Sequence, residues 1–251
     1  MNDFRDIYNH REIYELASSK ADAIFEEANE LYSYNDIING VKDGFDKNMY
    51  AVDPSTFRGF HRESYAKSEG IKVVEIYRRL FLREKDNVLS KLKTIISVDE
   101  LNDYEDCLGE KLITDLSKPI RVLKEDKYSS YNRFRKVIDL TIEHLVSMSN
   151  ELAKERQSLL DKVFLPLDSQ IFGSEYVFSD DEIDHFRLSR NTSYGAITSK
   201  EQYTMLQKYL REKACRISEE IAPFKLIYFD LFWGGRVNTK NTANLFHASI
   251  L

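Results

Sequence analysis

The residues best suited to chemistry in this chain are Arg190 and Asn191, within Leu188-Ser189-Arg190-Asn191-Thr192-Ser193-Tyr194-Gly195, between two stretches that read as helix. A guanidinium presents its donors in a planar fork that fits phosphate oxygens, and a neighbouring amide can orient what the arginine holds. His185 and Tyr194 are the nearest groups able to move a proton. His185 falls on a different helix face, and a tyrosine titrating near 10 is a poor base at neutral pH. The same residues also suit a helix C-cap. Arginine meets the negative helix end, asparagine tolerates the left-handed conformation, and Gly195 turns the loop. The sequence leaves both readings open.

A second candidate runs from Lys118 to Lys136. Seven basic residues (Lys118, Arg121, Lys124, Lys127, Arg133, Arg135, Lys136) face two acidic ones, Glu125 and Asp126, or +5 within a chain of net charge −6. Tyr128, Tyr131 and Phe134 are interleaved. Cations that track phosphates, beside aromatics on which bases stack, are what single-stranded RNA binding uses. The alternative is a solvated connection whose aromatics enter the core. A third candidate is the run from Phe224 to Trp233, with Phe224, Tyr228, Phe229, Phe232 and Trp233. It is too short to span a membrane and too apolar to leave in water, so it either closes the core or forms a dimer or partner interface.

Other signatures are missing. There is no GxxxxGK[ST], GxGxxG or GxSxG, and Glu143-His144 lacks the second histidine of HExxH. The five histidines form no ligand-spaced pair, so neither metal nor cofactor is expected. Asp180, Asp181, Glu182 and Asp184 read as an acidic first helical turn. The net negative charge argues against bulk electrostatic binding to nucleic acid or membrane, while leaving a local basic patch open. Two distant cysteines, Cys107 and Cys215, make no disulfide framework. With no apolar leader at Met1–Asp6 and no run long enough to cross a bilayer, a cytoplasmic setting without membrane contact is expected.

Nine glycines and four prolines in 251 residues suit long helices, and the expected class is all-α. Apolar spacing predicts a helix from His10 to about Ser33 and another over Ile71–Arg83. Asn35 is expected to cap a short helix, and Asp53-Pro54 to restart the chain. Ser97 with Glu100, Ser179 with Glu182 and Ser199 with Gln202 are capping boxes. The longest pattern, Phe134 through Leu145 and Leu152 to Val163, predicts a central helix over about 131–163, roughly 45 Å long at 1.5 Å per residue. Residues 1–251 read as one helical domain, with a subdivision at 1–118 and 119–251 possible.

An Arg-Asn pair at a helix junction, followed by a long helix, resembles the HEPN superfamily over Tyr131–Ile221. Its motif is Arg, a polar residue often Asn, about three more residues, then His; Arg190 and Asn191 match the first two places and Gly195 holds the last. The resemblance implies a helical bundle that pairs as a homodimer. It also implies a metal-independent ribonuclease of antiviral defence or toxin–antitoxin systems, with RNA as its partner. Gly195 can transfer no proton, and losing a positioned acid–base residue costs on the order of 10²–10⁴ in rate. The expected site is therefore degenerate, binding or regulating RNA. The alternative is a non-enzymatic interaction module, such as an antitoxin, immunity factor or regulatory subunit.

Overall fold

The computed structural model describes residues 4–27, 32–42, 48–49, 51–52, 54–57, 72–117 and 130–233. Its class is all-α. The helices are α1 (Arg11–Glu27), α2 (Tyr34–Asn39), α3 (Val73–Arg83), α4 (Lys85–Leu92), α5 (Val98–Ser117) and α6 (Tyr131–Met148), then α7 (Arg156–Leu160), α8 (Ser169–Gly173), α9 (Asp180–His185) and α10 (Lys200–Glu220). Single 3-10 turns join several of them. Strand pairing among the described residues is confined to a two-residue antiparallel ladder, Val41–Lys42 against Asn48–Met49, and a single parallel bridge between Tyr32 and Ser149.

Caps set most of the boundaries. Ser97 Oγ accepts from Glu100 N at 3.1 Å at the start of α5. Ser33, not Asn35, caps α2, in a full capping box with Asp36. Gly40 ends that helix with φ 78°, a conformation a side chain would resist. Pro54 opens a 3-10 turn, Pro54–Phe57, whereas the stretch 61–70 lies outside the described residues. Along α3, Val74, Tyr77, Leu80 and Phe81 are buried as their spacing predicts.

The central helix departs from expectation. It ends at Met148, after 18 residues, and not near Val163. Ser149 turns to extended backbone (φ −77°, ψ 130°), Asn150–Leu152 form a 3-10 turn, and α7 starts again at Arg156. Two interactions hold the break. Asn150 N donates to Tyr32 O at 3.0 Å, and the buried Arg156 guanidinium donates from Nε to Val146 O at 2.9 Å and from Nη2 to Ser149 O at 2.9 Å. Carbonyls at a helix end have no intrahelical partner, and here a side chain from the next helix satisfies them. The apolar spacing runs on through Leu152, Leu159 and Leu160 because the turns face the same core.

Helix α6 is buried on every side, without an exposed residue from Thr141 to Ser149. It packs against α2, α5, α7, α10 and the turn Tyr194–Ala196. The aromatic run after α10 closes the core beneath α1. Tyr14 meets Phe224, Phe229 and Phe232 edge-on at ring separations of 5.5, 6.5 and 5.9 Å. Phe224, Tyr228, Phe229 and Phe232 are buried, so their use as an interface is corrected to core. Trp233 is half-buried, its indole N–H shared between the two oxygens of Asp168 at 3.2 and 3.1 Å. Buried apolar side chains from both sides of residue 118 form one cluster.

The break predicts a stability effect. Arg156→Met strips the donors from two buried carbonyls and should cost about 2–4 kcal/mol in urea unfolding. An unchanged midpoint would show that Arg156 does not hold the turn at Ser149.

Candidate functional site

Arg190 sits in a loop after α9, whose start carries the predicted capping box. Ser179 N donates to Glu182 Oε2 at 2.7 Å, and Glu182 N donates to Ser179 Oγ at 3.3 Å. The Glu182 carboxylate also receives Tyr209 Oη and the buried Lys213 Nζ, the latter at 3.0 and 2.9 Å. The capping box is thereby fastened to α10. The C-terminal end closes on residues other than those expected. Arg187, with φ 55°, is the left-handed residue. Its N–H donates to Asp184 O at 3.0 Å, and Leu188 N donates to Ile183 O at 2.9 Å. That pair of bonds is a Schellman closure, complete at Leu188, so neither Arg190 nor Asn191 is the cap.

Arg190 instead turns its guanidinium onto the chain between α8 and α9. Nη1 lies 3.3 Å from both Phe172 O and Ser174 O and 2.7 Å from Phe178 O. Nε and Nη2 donate to Asp180 Oδ1 at 3.0 and 2.6 Å. All three guanidinium nitrogens are engaged within the chain. Asn191 and His185 are exposed, and His185 stands edge-on to Phe186 at 5.0 Å. Tyr194 points elsewhere: its hydroxyl donates to Thr56 O at 3.4 Å, and Lys136 Nζ stands 5.0 Å over its ring. At Gly195, a β-carbon would come within 3.2 Å of Arg133 Nη2, so a side chain there would press on that guanidinium. Arg190 and position 195 thus serve different contacts, and among the described residues the contacts of Arg190 assemble no acid–base pair around it.

What the elbow does is cap the central helix. Tyr131 N and Asn132 N, free donors at the start of α6, give hydrogen bonds to Thr198 O and Ile197 O at 3.1 and 3.2 Å. Asn132 Nδ2 adds bonds to Tyr194 O at 3.1 Å and Leu167 O at 2.9 Å. At the far side of the elbow, Ser199 Oγ accepts from Gln202 N at 3.1 Å, the serine half of the predicted box.

The basic stretch resolves in the same inward direction. Arg121, Lys124, Lys127 and Tyr128 lie outside the described residues. Arg135, expected to meet RNA, is 2 % exposed, and this expectation is corrected: it is a buried ion-pair hub. Its Nη2 reaches Glu105 and, at 3.1 Å, Asp139 Oδ1, while Nη1 donates to Asp106 Oδ1 at 3.1 Å. Phe164 and Tyr203 flank the guanidinium at 5.0 and 4.9 Å. Lys136 is paired with Asp168 Oδ2 at 2.7 Å. The Tyr131 hydroxyl donates to Asp106. Arg133 is half-buried against Gly195.

The hub holds more carboxyls than cations. Glu105 and Asp139 are buried beside one guanidinium, with Asp106 at its edge. Burial raises the pKa of Asp139 to about 6 against the pull of Arg135 and Tyr203. Burial likewise raises Glu105 well above the ordinary carboxyl range against the pull of Arg135, and the neighbouring Asp139 charge adds to the shift. Burial opposes ionisation of Asp106 too, but Lys200 at 2.6 Å, Tyr131 and Arg135 outweigh it and hold Asp106 low. Glu105 Oε1 and Asp139 Oδ1 each lack a conventional donor. A proton kept by one of these carboxyls would give the other a donor.

Above the hub is a cleft of about 390 Å³, lined by Asp106, Gly109, Glu110 and Ile113 of α5, Tyr131, Phe134 and Arg135 of α6, and Thr198 and Lys200. The sequence pattern does not single out most of these residues. Tyr131, Phe134 and Arg135 belong to the basic, aromatic stretch read from the sequence, and a further signal is Gly109, a glycine in the middle of a 20-residue helix. Among the described residues no group of His, Cys, Asp and Glu is arranged to hold a metal ion, and no helix is long and apolar enough to cross a membrane. No protein-family model, curated protein or solved structure matches this chain.

Two outcomes follow for stability. A carboxyl whose folded pKa is raised keeps its proton in the native state after the unfolded chain has lost it, so its contribution falls as pH rises from about 4 through the folded value. Glu105→Gln carries permanent amide hydrogens in place of that proton. Its stability relative to the parent should rise with pH across about 4–8, in denaturant titrations at each pH. A constant difference would mean that the native state keeps no such proton. Separately, Arg187→Gly removes a left-handed side chain and should stabilise by about 0.5–1 kcal/mol in the same titration. A loss of stability would show that the Arg187 side chain contributes more than its backbone strain costs.

Proposed function

We propose that this chain acts by binding, as a non-enzymatic helical interaction module of the antitoxin, immunity-factor or regulatory-subunit kind. Its HEPN-like elbow is kept as scaffold, with no ribonuclease site at Arg190. The carrying observation is the complete engagement of the Arg190 guanidinium by Asp180 and three backbone carbonyls. A phosphate would have to displace those partners before the arginine could stabilise it. The Arg133 guanidinium against Gly195 supports the same reading, as does the inward pairing of Arg135 and Lys136.

Purified protein incubated with labelled RNA in EDTA should leave the RNA intact. Arg190→Ala should lower stability by about 1–2 kcal/mol, as expected for lost hydrogen bonds and a surface ion pair. RNA cleavage that disappears in Arg190→Ala at an unchanged urea midpoint would overturn the proposal. The binding itself is read by placing benzoylphenylalanine at exposed positions 110 and 208 and irradiating cells that produce the protein. A discrete protein adduct from one position and not the other supports the module, and crosslinks to RNA alone count against it.

A further inference from the structure

The cleft between α5, α6 and the start of α10 has two features that the fold itself does not require. The first is Gly109. Glycine destabilises a helix interior relative to alanine. Elsewhere such a glycine is explained by a neighbour that leaves no room, yet a β-carbon at Gly109 would meet nothing within 4 Å. The residue widens a space that no described atom fills. Its volume of about 390 Å³ falls within the range of small-molecule sites, and its walls of Ile113, Tyr131 and Phe134 with a few polar groups match their usual make-up.

The second feature is charge. Both cations that line the cleft are already matched: Lys200 Nζ to Asp106 Oδ2 at 2.6 Å, and Arg135 to Glu105, Asp106 and Asp139. Glu110 is the lining carboxylate with no ion pair among the described residues, and it is exposed at the mouth. Asp99 and Asp103 are also exposed and share its helix face, at spacings of three and four residues through Asp106. In and beneath the cleft, four carboxyls stand against two cations. One proton kept by Glu105 or Asp139 still leaves the site negative.

From the open volume, the aromatic walls and the unmatched carboxylate we infer that this cleft is a binding site for a small organic cation, an ammonium or guanidinium compound with an apolar body. The apolar part lies over Gly109 between Ile113, Tyr131 and Phe134, and the cationic end meets Glu110 at the mouth. This site stands apart from the binding-module reading, and either can fail alone.

The test uses two probes of one shape and opposite charge, phenethylammonium and phenylacetate, titrated into the full chain by calorimetry and followed by ligand-observed NMR. Phenethylammonium should bind with a dissociation constant in the millimolar range, the strength expected of so few atoms, and phenylacetate at least about tenfold more weakly. Gly109→Phe fills the cleft and should abolish binding. Gly109→Ala should keep it and confirm that position 109 tolerates a side chain. Glu110→Gln, at an exposed position, should weaken phenethylammonium by about three- to tenfold, the size of a partly screened ion pair. Equal or tighter binding of phenylacetate would overturn the charge assignment. Binding unchanged in both Gly109→Phe and Glu110→Gln would place the ligand elsewhere, and no binding of phenethylammonium up to about 20 mM would remove the site.

Discussion

The structure turns on one guanidinium sealed from water. Arg135 reaches Glu105 and Asp106 of α5, Asp139 one turn along its own helix, and Tyr203 of α10. Three helices are thus joined through a single planar group. Removing two or three charges from water costs several kcal/mol per ion, and attraction repays this only where the geometry is good and the remaining polar atoms are satisfied. Here aromatic faces from Tyr203 and Phe164 cover the cation, and burial raises the pKa of Glu105 and Asp139, which disfavours surplus negative charge. Such a hub specifies one arrangement of α5, α6 and α10, because sliding any of them by a turn would strand a charge.

Other buried polar contacts repeat this principle on a smaller scale. Lys213 binds Glu182 and lies 3.4 Å from Asp6, joining the first turn of the chain to α9 and α10. Gln207 exchanges two hydrogen bonds with the backbone of Leu165, at 3.2 and 2.7 Å, and holds the extended segment after α7 against α10. Arg190 does the same for the chain between α8 and α9. Arginines, a lysine and a glutamine fasten stretches that lack helical bonding of their own. This division of labour explains why residues that look like chemistry in the sequence serve as fasteners in the fold.

Local features were the most legible in the sequence. Ser97, Ser179 and Ser199 were readable as caps because a cap is a contact between residues three apart. The apolar face of α3 was readable because it repeats at helical spacing. The end of α6 was not, because Ser149 is a poor breaker alone and the break depends on Tyr32 and Arg156, distant in sequence on one side and apolar in context on the other. The elbow misled for a related reason: Arg190 has the right type for a phosphate, and nothing local reveals that Phe172, Ser174 and Phe178 present carbonyls to it. The basic run from Arg133 to Lys136 hides its acids in α5 and at Asp168, some thirty residues away in either direction. The cleft left as traces Gly109 and the Tyr131–Arg135 end of the basic stretch, whose partners in α5 carry no pattern.

The packing of α1 has a consequence for how the protein is made. Tyr14 gives its hydroxyl proton to Tyr176 O at 2.7 Å and lies edge-on to Phe224, Phe229 and Phe232. Ser18 Oγ donates to Pro223 O. At roughly 5–20 residues per second, translation needs about 10–40 seconds to carry the chain from Tyr14 to Phe224. For that interval the part of α1 that meets Phe224, Phe229 and Phe232 lacks those native partners. That part of α1 spends the interval as a surface open to holding chaperones.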